Sequence, residues 1–269
     1  MSERPRLAAV FAHPDDDVYQ LGGSLAIHAG SLELTVVVCT SGDAGPIWVP
    51  EIATRETLGR VRESEELAAL AAVGAADADV RFLRHPDWHL PEVPFEELVT
   101  QIGSILLEVE PHVVVTFGPD GLTSHHDHIR AGDAATEAFA RVCADREGAP
   151  FRRLYHTALA RSDVDRFYEG VRHLDVSFGE EKELFNPVGV SDERITVRVD
   201  IGSVGERKLA AILAHRTQVG EWERIPEPLR WIHMYSECFV RAWPPDPVGR
   251  AVLADLFEDL ELGAERSRP

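Results

Sequence analysis

Leu7-Ala8-Ala9-Val10-Phe11-Ala12-His13-Pro14-Asp15-Asp16-Asp17 is the stretch on which the reading of this chain turns. An apolar run of strand length stops at a proline and gives way at once to a histidine and three adjacent carboxylates. A second stretch repeats the plan: Val113-Val114-Val115-Thr116-Phe117 precedes Gly118 and Gly121 and then His125-His126-Asp127-His128. Short Val-rich runs of this kind are typical of strands covered on both faces. If both are parallel strands of one sheet, the two polar clusters meet at its carboxyl edge, where open α/β sheets hold their sites.

Outward from these two stretches, strand and helix patterns alternate. Strands are predicted at Leu7–Ala12, Leu34–Thr40, Val80–Leu83, Val113–Phe117 and Leu154–Ala158, with helices at Gly22–Ala29, Thr54–Val73, Phe95–Val109 and His128–Ala144. In the last of these Ala131, Ala135, Ala138, Phe139 and Val142 recur at helical spacing, and Gly132 weakens the pattern. Beyond them the chain is less regular. Arg194–Val199 reads as a strand and Ile201–Arg216 as a helix with Ser203 as its cap. Asn186–Ser191 and the Pro-rich stretch Pro226–Pro247 read as loops, and Glu265–Pro269 as a frayed end. The expectation is an α/β, Rossmann-like fold: a mostly parallel sheet with helices on both faces, right-handed crossovers and an irregular C-terminal third. No repeat or linker divides the chain, so residues 1–269 are expected to form a single domain.

The chain has 269 residues, 46 acidic and 27 basic, for a formal charge of −19. Such a surface excludes a sequence-independent grip on nucleic acid and disfavours anionic membranes. It also keeps a protein soluble. Cys39, Cys143 and Cys238 show no metal-type spacing and read as free thiols of a reducing compartment. Met1–Arg6 carries no signal-type apolar stretch and no run has transmembrane length. A cytoplasmic location is expected, and a homo-oligomer is left open.

The polar clusters have structural readings too. Asp near a helix start caps it and meets the helix dipole favourably, but that accounts for one or two carboxylates, not three beside a histidine, since packed like charges call for a cation or protons. His125 and His128 share a helix face, and imidazole is the commonest metal ligand. Two His and one carboxylate with an open fourth position make a hydrolytic zinc site. The remaining carboxylates and imidazole then provide for proton transfer and oxyanion stabilisation.

These motifs resemble those of the LmbE-like, or PIG-L, zinc N-deacetylases. Ala12–Asp17 is similar to the family's A-H-P-D-D-E and His125–His128 to its H-P-D-H. Cys39–Gly45 resembles the loop after the second strand, Arg62–Glu65 the R-x-x-E segment, Ala214–Gln218 the A-H-x-[ST]-Q segment and Glu237–Phe239 the E-x-F segment. The resemblance implies His13, Asp16 and His128 as metal ligands and Asp15 as general base. It implies His125 as oxyanion stabiliser and amine acid, with Asp127 orienting that imidazole, and Arg62 and Asp87 as contacts to a sugar. It implies Zn²⁺, with Fe²⁺ or another divalent ion equally suited to such donors. Asp17 replaces the usual Glu, and His126 the usual Pro. Thr123 stands where mycothiol-type members carry a Tyr, which argues against a mycothiol-precursor substrate.

Other residues carry weaker signals. His85-Pro86-Asp87-Trp88-His89 repeats part of the first motif without its carboxylates and is not read as a second metal site. Trp88 reads as a cover for the core, with stacking on a sugar as the alternative. His215 and Gln218 read as structural. Gly22-Gly23 reads as a close packing contact, since no G-x-G-x-x-G or P-loop follows the first strand. The resulting expectation is a metal-dependent hydrolase that removes the acetyl group from an N-acetylglucosamine-type small molecule. The alternatives are an amidase on a thiol conjugate or other non-sugar amide and, in another class, a non-catalytic metal- or sugar-binding protein.

Overall fold

The computed structural model describes residues 4–144, 150–174, 187–246 and 251–260. In chain order the elements are β1 (Arg6–Phe11), α1 (Asp16–Ile27), β2 (Glu33–Thr40), α2 (Leu58–Val73), β3 (Asp79–His85), α3 (Phe95–Val109), β4 (Val113–Phe117), α4 (Gly121–Ser124) and α5 (His126–Ala144). There follow β5 (Arg153–Ala160), α6 (Arg161–His173), β6 (Gly189–Val190), β7 (Val197–Asp200), α7 (Gly205–Ala214), α8 (Val219–Arg224), α9 (Trp231–Met234) and β8 (Ser236–Trp243).

The sheet order is β3-β2-β1-β4-β5-β8-β7, with β6 added to β5. β1 through β5 pair in parallel, while β8 runs antiparallel to both β5 and β7. The chain moves outward from β1 to β2 to β3 and then returns to lay β4 on the other side of β1. Right-handed crossovers put the helices of these two excursions on opposite faces. Accordingly α1, α2 and α7 pack together, as do α3 and α5. The order reverses between β1 and β4, and the crevice beyond their carboxyl ends is where an open α/β sheet accepts ligands. Leu7 pairs with Val113 and Val10 with Thr116, so the two strands end side by side.

Every residue of β4, and all but the first of β1 and β2, is buried, which explains why these strands read as unbroken apolar runs. Gly132 belongs to this packing, because a Cβ there would lie 2.6 Å from the Phe117 carbonyl oxygen. α5 can approach β4 closely only without one. Gly23 is likewise a close contact, its missing Cβ falling 2.4 Å from Ile201 Cγ2.

The structure departs from the sequence reading mainly at element starts and in the last third. α1 begins at Asp16 rather than Gly22, since the buried Asp16 and Asp17 form its first turn. α2 begins at Leu58 rather than Thr54. α6, over Arg161–His173, was not anticipated. Residues 201–216 are a short 3-10 turn followed by α7, and Val204, not Ser203, precedes that helix. The stretch read as a Pro-rich loop contains α9 and all of β8, and Asn186–Ser191 contains β6. Asn186, Pro247 and Glu265–Pro269 lie outside the described residues. All three cysteines are free thiols, with Cys39 and Cys238 buried. Among the described residues no helix is long and apolar enough to cross a membrane.

Candidate active site

The turn after β1 is held by its own polar groups. His13 N–H donates to Asp16 Oδ2 at 2.7 Å, and Asp16 N–H reaches back to the His13 carbonyl at 3.4 Å. Asp15 sits between them at φ 115°, ψ −28°, a backbone conformation that L side chains rarely adopt. Its carboxylate is bonded by Arg62 Nη2 at 3.0 Å. Arg62 comes from α2 and also donates to the Pro14 and Gly42 carbonyls at 2.6 and 3.0 Å. Gly42 lies at φ +65°, and a Cβ there would stand 2.4 Å from the Arg62 guanidinium. Glycine is therefore required at 42 for both conformation and space.

α5 brings the second cluster to the same place. His128 Nε2 lies 3.2 Å from His13 Nδ1 and 3.3 Å from Asp16 Oδ1, and Asp16 Oδ2 is 3.5 Å from His13 Nδ1. Two imidazole nitrogens and a carboxylate thus converge. The outer nitrogens settle the tautomers. His128 Nδ1–H donates to the Gly121 carbonyl at 3.0 Å, which leaves Nε2 as a lone pair. His13 Nε2 faces Asp87 Oδ1 at 3.1 Å and Asp127 Oδ2 at 3.4 Å, so its proton belongs there and Nδ1 is left free. Outer hydrogen bonds of this kind orient metal-ligating histidines.

Among the described residues, two donor groups have ligand atoms within 4.8 Å of one another, His13–Asp16–His128 and His13–His125–Asp127. The tautomers favour the first. In the second, Asp127 already accepts from the Trp88 and Leu90 N–H groups at 2.8 and 3.1 Å. A divalent cation fits the first donor set: its two imidazoles and one carboxylate suit Zn²⁺ and leave an open position.

The electrostatics agree with a site built for a cation. Burial alone would lower the His13 imidazole, but bonding to Asp127, Asp16 and Asp87 holds it well above its ordinary value, so a cation at Nδ1 would take the place of a proton there. Burial would raise Asp16, but His128 and His13 hold it well below the usual carboxylate range. Asp15 goes the other way. Burial pushes it well above that range despite Arg62, with Asp16 and Glu221 adding to the shift. A raised carboxyl is suited to move protons near neutral pH. Asp17, buried beside the Glu66 carboxyl, is pushed up to about 7, by burial above all and against its bonds to Glu66 and the Val18 N–H.

His125 stands edge-on to His13, with ring centroids 5.0 Å apart. Its Nδ1 accepts from the Asp127 main-chain N–H at 3.2 Å, so the proton sits on Nε2. Burial, with His13 and His128 nearby, pushes this imidazole down to about 3 and keeps it neutral. The Asp127 carboxylate itself is directed to His13 and to the 88–90 loop. Asp87 accepts from the Ala44 and Trp88 N–H groups and faces His13.

Trp88, read from sequence as a core cover, is 51% exposed. Its ring meets those of His125 and His126 edge-on at 4.8 and 4.9 Å, so it forms part of the site's rim. His126 bonds the Trp88 carbonyl at 2.8 Å, and its ring stacks on that of His125 with centroids 4.8 Å apart. His215 and Gln218 are buried supports, with Gln218 donating to the Pro46 carbonyl. Sequence reasoning passed over Glu66, whose carboxylate accepts the Asp15 N–H. The signal for it was its spacing, one helical turn beyond Arg62.

Comparison with known proteins adds a second line. A family profile described as PIG-L, GlcNAc-PI de-N-acetylase, matches residues 8–139. The 1D-myo-inositol 2-acetamido-2-deoxy-alpha-D-glucopyranoside deacetylase of Thermobispora bispora is 34% identical, over 100% of this chain and 91% of its own. The protein of that name from Rhodococcus erythropolis is 33% identical, over 80% of this chain and 81% of its own. Among solved structures, N,N'-diacetylchitobiose deacetylase from Pyrococcus horikoshii matches with TM-score 0.60 and 23% identity, covering 88% of this chain and 83% of its own. GalB, the 4-carboxy-2-hydroxymuconate hydratase of Pseudomonas putida, matches with TM-score 0.61 and 21% identity, covering 92% of this chain and 100% of its own. The two structures bear different activities, so the shared fold alone does not select a reaction.

Proposed function

The chain belongs to the PIG-L deacetylase family, and from that premise we propose that it is a metal-dependent N-deacetylase acting on an N-acetylated amino sugar. The observation that carries the proposal is the convergence of His13 Nδ1, His128 Nε2 and the Asp16 carboxylate beside a carboxyl, Asp15, whose proton affinity is raised. His13, Asp16 and His128 would hold the ion. Once bound, a divalent ion acidifies water and polarises an amide carbonyl. Zn²⁺ suits these donors, and Fe²⁺ or another divalent ion suits them as well.

The remaining steps belong to the chain's own side chains. Asp15 removes the proton from the attacking water and delivers it to the departing amine, a role the resemblance gives to His125 but which a neutral imidazole with a single N–H does not fill. His125, neutral with its proton on Nε2, donates a hydrogen bond to the oxygen that gains charge as the amide carbonyl is attacked. Asp127 keeps His13 in the tautomer that presents Nδ1, and its main-chain N–H orients His125. Asp15 keeps its place through Arg62. Arg62 and Asp87, beside Asp15 and His13, are assigned the sugar hydroxyls next to the amide, and Trp88 the rim against which the ring settles.

The curated relatives named above are deacetylases of 1D-myo-inositol 2-acetamido-2-deoxy-alpha-D-glucopyranoside. That supports an acetamido sugar here, while Thr123 points to an aglycone other than theirs. The test is acetate release from a panel of N-acetylglucosamine derivatives, including the inositol conjugate, by metal-stripped protein with and without added Zn²⁺. Zinc-dependent release supports the proposal. Zinc binding without release from any acetamido sugar, but with cleavage of a non-sugar amide, refutes it in favour of the amidase reading.

A further inference from the structure

Arg62 and Glu66 lie one turn apart on α2 and therefore share a face. Both are buried, at 4% and 0% exposure, and both reach the turn after β1. Arg62 Nη2 donates to the Pro14 carbonyl at 2.6 Å, and the Asp15 N–H donates to Glu66 Oε2 at 3.1 Å. That carbonyl and that N–H belong to one peptide group. The two side chains hold its opposite poles and so fix the orientation of its plane.

The plane matters because the next residue is Asp15, at φ 115°. A non-glycine residue stays in such a conformation only where its surroundings impose it. Rotation of the Pro14–Asp15 peptide is the direct way out of it. That rotation would carry the Asp15 carboxylate off Arg62 and draw Asp16 away from His13 and His128.

We propose that Arg62 and Glu66 clamp the Pro14–Asp15 peptide, and that Glu66 is a positioning residue for Asp15 and Asp16, acting on them through the main chain. This rests on the reading of Asp15 as base and Asp16 as ligand. What Glu66 must supply is an acceptor at the right reach. An amide oxygen meets that need, and the amide NH₂ of a glutamine could also donate to the Asp17 carboxylate, the side chain that Glu66 itself bonds. A shorter side chain keeps the carboxyl group and its burial but withdraws it by one methylene.

The test compares wild type, Glu66→Gln and Glu66→Asp in kcat, KM, chelator-competed zinc affinity and thermal midpoint. Glu66→Gln is expected to stay close to wild type in all four. Glu66→Asp is expected to lower kcat by about 100-fold at little-changed KM, the effect of a misplacement of about 1 Å. It is also expected to weaken zinc binding by about 10-fold or more. Wild-type kcat and zinc affinity in Glu66→Asp overturn the clamp. So does a Glu66→Gln variant as impaired as Glu66→Asp, which would mean that an acceptor at the native reach is not what the turn needs. A drop in thermal midpoint alone overturns it as well. Should wild type release no acetate, the proposed function fails, while the ranking of zinc affinities still decides the clamp.

Discussion

Replacing Asp127 by Asn should weaken metal binding without unfolding the protein. Asp127 is fully buried and accepts from three groups: the Trp88 N–H at 2.8 Å, the Leu90 N–H at 3.1 Å and His13 Nε2 at 3.4 Å. Asn offers one carbonyl oxygen, so at least one of these donors must face the amide NH₂. His13 shares Oδ2 with Trp88, while Leu90 uses Oδ1, so even an Asn oxygen in the Oδ2 place gives His13 a neutral acceptor where it had a charged one. A hydrogen bond to a charged group contributes about 1.5–3 kcal/mol. Loss of an outer partner of a ligating histidine typically costs about 10–100-fold in metal affinity, which is about 1.4–2.7 kcal/mol, so the two estimates agree. Asp87 still faces Nε2 at 3.1 Å, which places Asp127→Asn near the low end, about 10-fold. Asp87→Asn with Asp127→Asn leaves His13 Nε2 facing no carboxylate of this pair and should exceed about 100-fold. Zinc affinity measured against a chromogenic chelator, with the thermal midpoint of the metal-free protein as control, reads this directly. A folded Asp127→Asn variant with wild-type zinc affinity would refute the tautomer argument.

Asp15→Asn should retain zinc and lose about 10²–10⁴-fold in kcat; full activity in zinc-loaded protein would remove Asp15 from proton transfer. Because burial raises the Asp15 carboxyl despite Arg62, kcat/KM should fall as pH drops through a value above the usual carboxylate range, and an acid limb at an ordinary carboxylate pKa would contradict this. Burial also pushes the His215 and His233 imidazoles down to about 3, whereas unfolded histidine titrates near ~6.5. The unfolded chain then binds protons first, and thermal midpoints should decline as pH falls from about 6.5 toward 3; a flat profile over that window would count against buried neutral rings. Lys208→Met leaves the Glu237 carboxylate, 2% exposed and paired at 2.8 Å, without its cation, at a cost of about 3–5 kcal/mol. Glu237→Gln added to it should recover much of that in urea unfolding, and no recovery would mean that the charge is not the source of the loss.

The site was legible because its chemistry follows directly on buried runs. His13 to Asp17 leaves β1, His125 to His128 follows β4 within a short loop, and the α/β alternation places both at one edge of the sheet. What the sequence left open was which nitrogen of each ring is free, since that depends on Gly121, Asp87 and Asp127 approaching from other elements. β8 escaped because prolines flank it and because Ser236, Glu237 and Arg241 interrupt its apolar pattern. The buried Glu237 is satisfied by Lys208, Gly23 and Ser24, which lie far away in sequence. Trp88 reads as a core residue by type, yet it is turned outward beside His125 at φ 67°. Glu66 reads as the solvated face of a helix until the turn it grips is seen.

The measurement that bears most directly on the central claim is an anomalous-scattering map of crystals loaded with Zn²⁺. The account predicts one strong peak bounded by His13 Nδ1, His128 Nε2 and Asp16, lost in His128→Ala. A peak instead among His13, His125 and Asp127, or none at full zinc occupancy of the solution, would contradict the assignment of the ligands and the mechanism built on it.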